Sequence, residues 1–150
     1  EGLFIVKGSK TTDQKTFNKE LKKEEKKYPY LTTQATNNGV NDFYEFYTDE
    51  GNILVVDSAV KGYCSYQSLN FTASDHVEKL MPKFDLNVYR AMFLVTLINM
   101  EQYRYSYGRK FNQDRIRETI IKLPFKDNKI DWDFRENYIK GLNYSKNIKI

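Results

Sequence analysis

The chain of 150 residues has one cysteine, one histidine and three prolines. The single thiol, Cys64, excludes an internal disulfide and any zinc cluster built from several thiolates. It sits in the strand-like "GYCSYQ" and reads as a small buried residue. His76 has no second histidine or cysteine with which to share a metal. No run of 18 or more apolar residues exists, so nothing is long enough to span a bilayer as a helix. The N-terminus has no apolar signal region either, and a cytoplasmic location is expected. On that expectation the sequons at Asn70 and Asn143 carry no weight. The chain opens at Glu1, directly in a strand-like "LFIV", as a fragment of a longer protein would.

Catalytic signatures are also missing. There is no Gly-rich phosphate loop and no GxSxG elbow. Pro29, Pro82 and Pro124 stand apart, so the Asn/Asp-Pro-Pro-aromatic motif of base-amino methyltransferases is absent. The nearest nuclease-like carboxylate pattern is Glu20-Leu21-Lys22. It falls in a predicted surface helix, where the strand geometry that holds Mg²⁺ fails. Asp131 and Asp133 open a helix and favour its dipole more simply than they form an acid pair.

What the chain has in quantity is tyrosine, 12 residues, and an uneven charge. Tyrosine suits surfaces where one end of a ring is buried and the other wet, although a bias toward AT-rich codons explains much of the same composition. Residues 1–50 carry 8 Lys and Arg against 9 Asp and Glu, and residues 51–100 carry 4 against 4. Residues 101–150 carry 12 against 7, so the whole excess of +4 lies in the last third. That asymmetry points to an anionic partner.

The pattern of the chain predicts one α+β globular domain, short mixed strands followed by a helical part. Residues 2–8 read as a buried strand. Residues 11–27 open with Thr11 and Gln14 in a capping-box pattern and continue as a solvated helix. Residues 28–35 are strand-like, and 36–43 form a turn marked by Asn38-Gly39. "FYEFYT", "NILVVD", "GYCSYQS" and "NFTAS" follow as strands. In 85–105 the spacing of Tyr89, Met92, Phe93, Thr96, Leu97 and Met100 predicts a helix with that apolar face, capped by Asp85 or Asn87. "QDRIRETI" reads as a short helix, "IIKLPF" as a strand, and "DWDFRENYIKGL" as a capped helix stopped by Gly141.

The stretch "YRYSYGRKFNQDRIRETIIKLPF" concentrates planar rings and cations around one glycine. A core strand has no use for the cations, and a solvated loop has none for the rings. Nucleic acid uses both, since cations fix the register on phosphates and flat or forked polar groups read base edges. Arg109 and Lys110 follow Gly108, which lets the backbone approach closely. An arginine fork also meets guanine O6 and N7. Asn37, Asn38 and Gln67 carry amides that suit adenine, and Thr32, Thr33, Ser65 and Tyr66 offer hydroxyls. Lys61, Tyr63, Tyr105, Tyr107, Gln113 and Arg115 complete the candidate DNA-binding residues. If Arg109, Lys110, Arg115 and Arg117 each neutralise one phosphate, the log–log salt slope of binding is roughly −3.6.

In the order of its motifs the chain resembles the target-recognition domain of restriction-modification specificity modules. Such domains occur in type I specificity subunits and in type IIB and IIG enzymes that fuse the module to a methyltransferase and nuclease. "FIVKGSK" is followed by "YPYLTTQATNNGVNDFY", "GNILVV" and "GYCSYQSLNFTASDHVEKLMPKF". Then come "FLVTLINMEQYRYSYGRKFNQDRIRETIIKLPF" and "IDWDFRENYIKGLNYS", so the likeness runs over roughly residues 4–145. Arg135 departs from it, since that position is often apolar in the family. The resemblance implies a mixed α/β reader of one half of a split double-stranded DNA target. It implies no catalysis, cofactor or membrane of its own, and methyltransferase and endonuclease subunits or fused domains as partners. Residues 1–130 would be the reader and 131–150 the start of a connector helix. The tyrosines would seat the loop, with Gly108-Arg109-Lys110 presented to the duplex.

Two other functions compete with DNA reading. One is a docking module without base readout, with Tyr138, Ile139 and Leu142 as its face. The other is an unrecognised enzyme.

Overall fold

The computed structural model describes residues 2–10 and 25–148; the helix expected over 11–27 lies almost wholly outside them. Strand β1 (Phe4–Gly8) is followed by β2 (Tyr28–Leu31), β3 (Val40–Tyr44), β4 (Ile53–Asp57), β5 (Cys64–Gln67), β6 (Thr72–Ala73) and β7 (Val77–Pro82). Helix α1 (Val88–Met100), the short α2 (Gln113–Glu118), the hairpin β8 (Phe125–Lys126) and β9 (Lys129–Ile130), and α3 (Trp132–Lys140) complete the order. The α+β reading holds, with strands leading and helices following.

Two sheets share β4 as the centre of their packing. One is four-stranded, in the order β1-β7-β4-β5, with every pair antiparallel. The other is β3-β2-β6, antiparallel on one side and parallel on the other. Side chains alternate across a strand. Leu54 and Val56 therefore join Leu80, Cys64, Ala91, Leu94 and Ile98 under α1, while Ile53 and Val55 join Leu31, Phe71 and Val77 under the second sheet. Both faces of β4 are covered, which is why it reads as the unbroken apolar run "ILVV". Burying each such side chain contributes about 1.5–3 kcal/mol.

Four expectations are corrected by the structure. The segment 77–82, not expected as a strand, is β7, the neighbour of both β1 and β4. Its charges hid it: Glu78 accepts from Ser58 and Gln113, and Lys79 pairs with Asp49. "FYEFYT" is a strand only at Phe43 and Tyr44, the end of β3, which begins at Val40 within the span expected as a turn. "IIKLPF" has no regular structure before Phe125, where β8 begins, and no strand partner among the described residues until there. The face of α1 is also out of phase. Ala91, Leu94 and Ile98 are buried on the sheet, whereas Thr96 and Met100 are exposed. Tyr89 and Phe93 lie instead toward α3, against Lys140 and Tyr138. The helix has two apolar stripes, and the spacing rule picked the second.

Local signals for the helix ends hold. The Asn87 side chain accepts from Arg90 N at the start of α1, and Asp131 accepts from Phe134 N at the start of α3. These satisfy amides that no helical carbonyl can reach. Gly141 closes α3.

Candidate nucleic-acid interface

Strand β5 is the edge of the four-stranded sheet and the spine of the candidate surface. A bare edge would expose unpaired backbone groups. Two asparagines close it instead. Asn99, near the end of α1, accepts from Cys64 N at 2.7 Å and donates to Cys64 O at 2.9 Å. The Asn38 amide donates to Tyr66 O at 2.9 Å. Cys64 itself is buried, and burial pushes its thiol far above the ordinary range, so it is chemically inert.

At one end of β5 lies the loop 32–39. Asn37, Asn38 and Gly39 take successive positive φ of 50°, 54° and 78°, a conformation asparagine and glycine tolerate best. The amides that suit adenine are largely used to hold this shape. Asn37 donates to Val40 O, and Gln67 donates to Asn38 O and Ser65 Oγ. Gln67 is only 3 % exposed, so it frames the loop from beneath. Asn37 and Asn38 are exposed, and Thr32 and Thr33 are half-buried beside them. Tyr66 is half-buried with its hydroxyl donated to Asn52, and burial raises its phenol's pKa.

Beyond the other end a 3-10 turn, Gln102–Arg104, leads into a tight hairpin at 105–111. Ser106 and Arg109 exchange both backbone hydrogen bonds, at 3.1 and 3.0 Å, so Tyr107 and Gly108 form its tip. Its root is stacked: the rings of Tyr105 and Phe111 lie 4.1 Å apart at 16°. The Tyr105 hydroxyl lies 3.2 Å from Thr119 Oγ1. Phe111 in turn packs on Gly62, whose φ is +71° and where a Cβ would come within 2.7 Å of the Phe111 ring. Lys61 and Tyr63 flank that glycine, Lys61 exposed and Tyr63 half-buried. Thus β5 and its approach connect the two loops. Across Cys64–Gln67 the strand spans about 10 Å at roughly 3.3 Å per residue.

Only Tyr105 seats the hairpin. Tyr103 and Tyr107 are 77 % and 76 % exposed, each with a cation beside it: Arg104 at 5.3 Å from the Tyr103 ring centre and Lys110 at 5.5 Å from that of Tyr107. Gly108 has open space around it and no positive φ, so the fold itself does not require a glycine there.

The arginines divide sharply. Arg115 donates to Lys110 O, and Arg117 reaches Asp114, Gln113 and Val6 O. Gln113 also holds Glu78, so it belongs to the seat of α2. Arg90 pairs with Glu136, and Arg104 with Glu101 and the Tyr103 hydroxyl. Arg135 is buried, stacked 4.6 Å from the Trp132 ring centre, and donates to Asp131 O and Pro124 O. Burial lowers its pKa. Arg109 alone among the six arginines has no hydrogen-bond or charge partner for its guanidinium among the described residues, and it is exposed. The four-phosphate expectation therefore changes, because Arg115 and Arg117 are committed to the fold.

Asn99 and Gly62, which position the surface, escaped the reading of the sequence. A polar residue near the end of an apolar helical run was the available signal for Asn99. The described residues contain no group of three or more His, Cys, Asp or Glu placed to hold a metal. None of their helices is long and apolar enough to cross a membrane.

Three comparisons bear on this geometry. The family described as type I restriction modification DNA specificity domain matches residues 9–150. The specificity subunit S.BcgI of a type II restriction enzyme from Heyndrickxia coagulans is 28 % identical over 158 residues, covering 99 % of this chain and 44 % of its own length. The crystal structure of a type I restriction-modification S subunit from M. genitalium superposes with a TM-score of 0.55 at 16 % identity. That match covers 92 % of this chain and 36 % of the S subunit. The chain thus spans less than half the length of either relative.

Proposed function

The chain belongs to the family of type I restriction modification DNA specificity domains, and on that premise we propose that it is a noncatalytic reader of double-stranded DNA. It reads one half of a bipartite target for methyltransferase and endonuclease subunits or fused domains. The observation that carries this reading is Arg109: a guanidinium without a partner among the described residues, beside the tip of a hairpin whose root is stacked. A preorganised fork of this kind is suited to guanine or to phosphate. Lys61 and Lys110 adjoin Gly62 and Phe111 at one end of the β5 spine, and Thr33, Asn37 and Asn38 offer polar groups at its other end. Residues 1–130 are the reader in this proposal. Asp131 begins the connector, whose direction is set where α3 packs on α1.

Selection on a randomised duplex library, using the longer protein that carries this chain, tests the proposal. One defined half-site should emerge from the variants that retain Arg109. If Arg109, Lys110 and Lys61 each release one counterion, the salt slope from this surface is roughly −2.7. Binding that does not vary with salt and is untouched by Arg109→Ala would overturn the proposal.

A docking module is the second reading, favoured by Phe134, Tyr138 and Leu142, all exposed on or just after α3. Ile139 is buried and serves the core instead. Loss of subunit co-purification in Tyr138→Asp, with DNA binding by the isolated partners unchanged, would favour it.

A further inference from the structure

The hairpin β8–β9 carries a charge arrangement that the fold leaves uncompensated. Its turn residues Asp127 and Asn128 both have positive φ, 49° and 60°, as a tight two-residue hairpin requires. In the resulting register Lys126 stands directly opposite Lys129. Like charges facing each other across a strand pair are destabilising. A two-stranded ribbon has little stability of its own to offset them. Among the described residues, neither lysine has a carboxylate or hydrogen-bond partner, nor has the exposed Lys122 just upstream. Ile120 and Phe125, 86 % and 65 % exposed, stand in the same segment. The ribbon is nevertheless fixed. Asp131 N and Arg135 Nη2 both donate to Pro124 O, at 3.0 and 3.1 Å.

We propose that this hairpin is a second contact to the DNA backbone, with Lys126 and Lys129 binding phosphate oxygens. The inference rests on the DNA-reading proposal and adds a separate element to it. A phosphate between the two ammonium groups converts their repulsion into attraction. Lysine, a point charge on a flexible stem, positions a duplex without reading its sequence. The chain keeps the roots of the two hairpins within the reach of one duplex. The root of the first touches Thr119 and the second begins at Phe125, six residues along the chain. That separation is at most about 22 Å, less than one turn of duplex at about 34 Å.

The test compares the double variant Lys126→Gln/Lys129→Gln with Arg109→Ala and the parent protein, on duplexes from the library above. The double variant should bind all sequences more weakly by the same factor. Its salt slope should be shallower by about 1.8. Its melting temperature should be equal or higher, because the repulsion is gone. Lys126→Glu, which pairs with Lys129, should melt higher still and bind more weakly than Lys126→Gln alone. Unchanged affinity and slope in the double variant, beside weakened binding in Arg109→Ala, would overturn this inference and leave the DNA reading intact. A fall in melting temperature, or a changed sequence preference, would overturn it as well. Failure of the parent protein to bind any duplex would sink both.

Discussion

Arg109 and Arg135 lie 26 positions apart, both in the basic last third of the chain, and they are used in opposite ways. Arg135 is enclosed by Trp132 and Phe93, and its Nη1 and Nη2 donate to backbone carbonyls. Arg109 stands exposed beside a hairpin tip, with no partner for its guanidinium among the described residues. The contrast teaches that local charge excess says little about available charge. A guanidinium within reach of carbonyls and rings becomes part of the frame, and only one held away from them can meet a ligand. The frame here serves the tip, since Arg117 ties α2 to β1 and Arg115 ties α2 to Lys110, next to the hairpin.

Arg135→Ala should give the largest effect. It opens a cavity beside Trp132 and removes the guanidinium hydrogen bonds to Pro124 O and Asp131 O. Removal of a large buried side chain together with charged hydrogen bonds is expected to cost about 3–5 kcal/mol, read as a shift in the urea midpoint. Arg135→Met keeps the stem volume and removes an expensive buried charge, so it should recover a large part of that loss. The family resemblance, in which this position is often apolar, agrees with that expectation. Equal losses in both variants would show that the hydrogen bonds, not the filled volume, hold α3.

Gly62→Ala sharpens the contrast from the other side by disturbing the seat of the hairpin and not its tip. Its positive φ costs a side chain about 1–2 kcal/mol, and the clash with Phe111 adds a repacking cost of similar size. Stability should fall by about 2–4 kcal/mol, with DNA affinity falling in the protein that remains folded. Arg109→Ala should do the reverse. Folding changes by less than about 0.5 kcal/mol, while binding weakens by about 1–3 kcal/mol. If Arg109→Ala unfolded the chain instead, the guanidinium would belong to the frame after all.

The sequence made local features legible and left distant ones hidden. The turn at Asn37–Gly39 and the caps at Asn87 and Asp131 depend on a few neighbouring residues, so their types announce them. The α+β class followed from the change of period near residue 85. Strand β7 was hidden because Glu78 is hydrogen-bonded by Ser58 and Gln113 and Lys79 is paired with Asp49, none of them adjacent in sequence. The phase of α1 was hidden because it packs on a sheet and on α3 at once. The division among the arginines was least visible, since the bond from Arg117 to Val6 O joins residues 111 positions apart.

The smallest effect concerns pH, and it should move only the frame. Glu136 accepts from Asn87 Nδ2 at 2.8 Å and from Arg90 Nε at 2.7 Å, tying α3 to the start of α1. The Asn87 hydrogen bond first, and the Arg90 contact with it, hold its carboxyl below the ordinary range. A depressed folded-state pKa stabilises the fold above the unfolded value, about 4.3. That stabilisation is lost as the pH falls through the folded value. Stability should therefore decline on acidification below about pH 4.3, and Glu136→Gln should remove that part of the decline while lowering stability near neutrality. The affinity of the still-folded protein for duplex should not follow the titration of Glu136. If Glu136→Gln altered the pH profile of DNA binding as much as that of unfolding, frame and tip would be coupled, and the separation between the two kinds of arginine would fail.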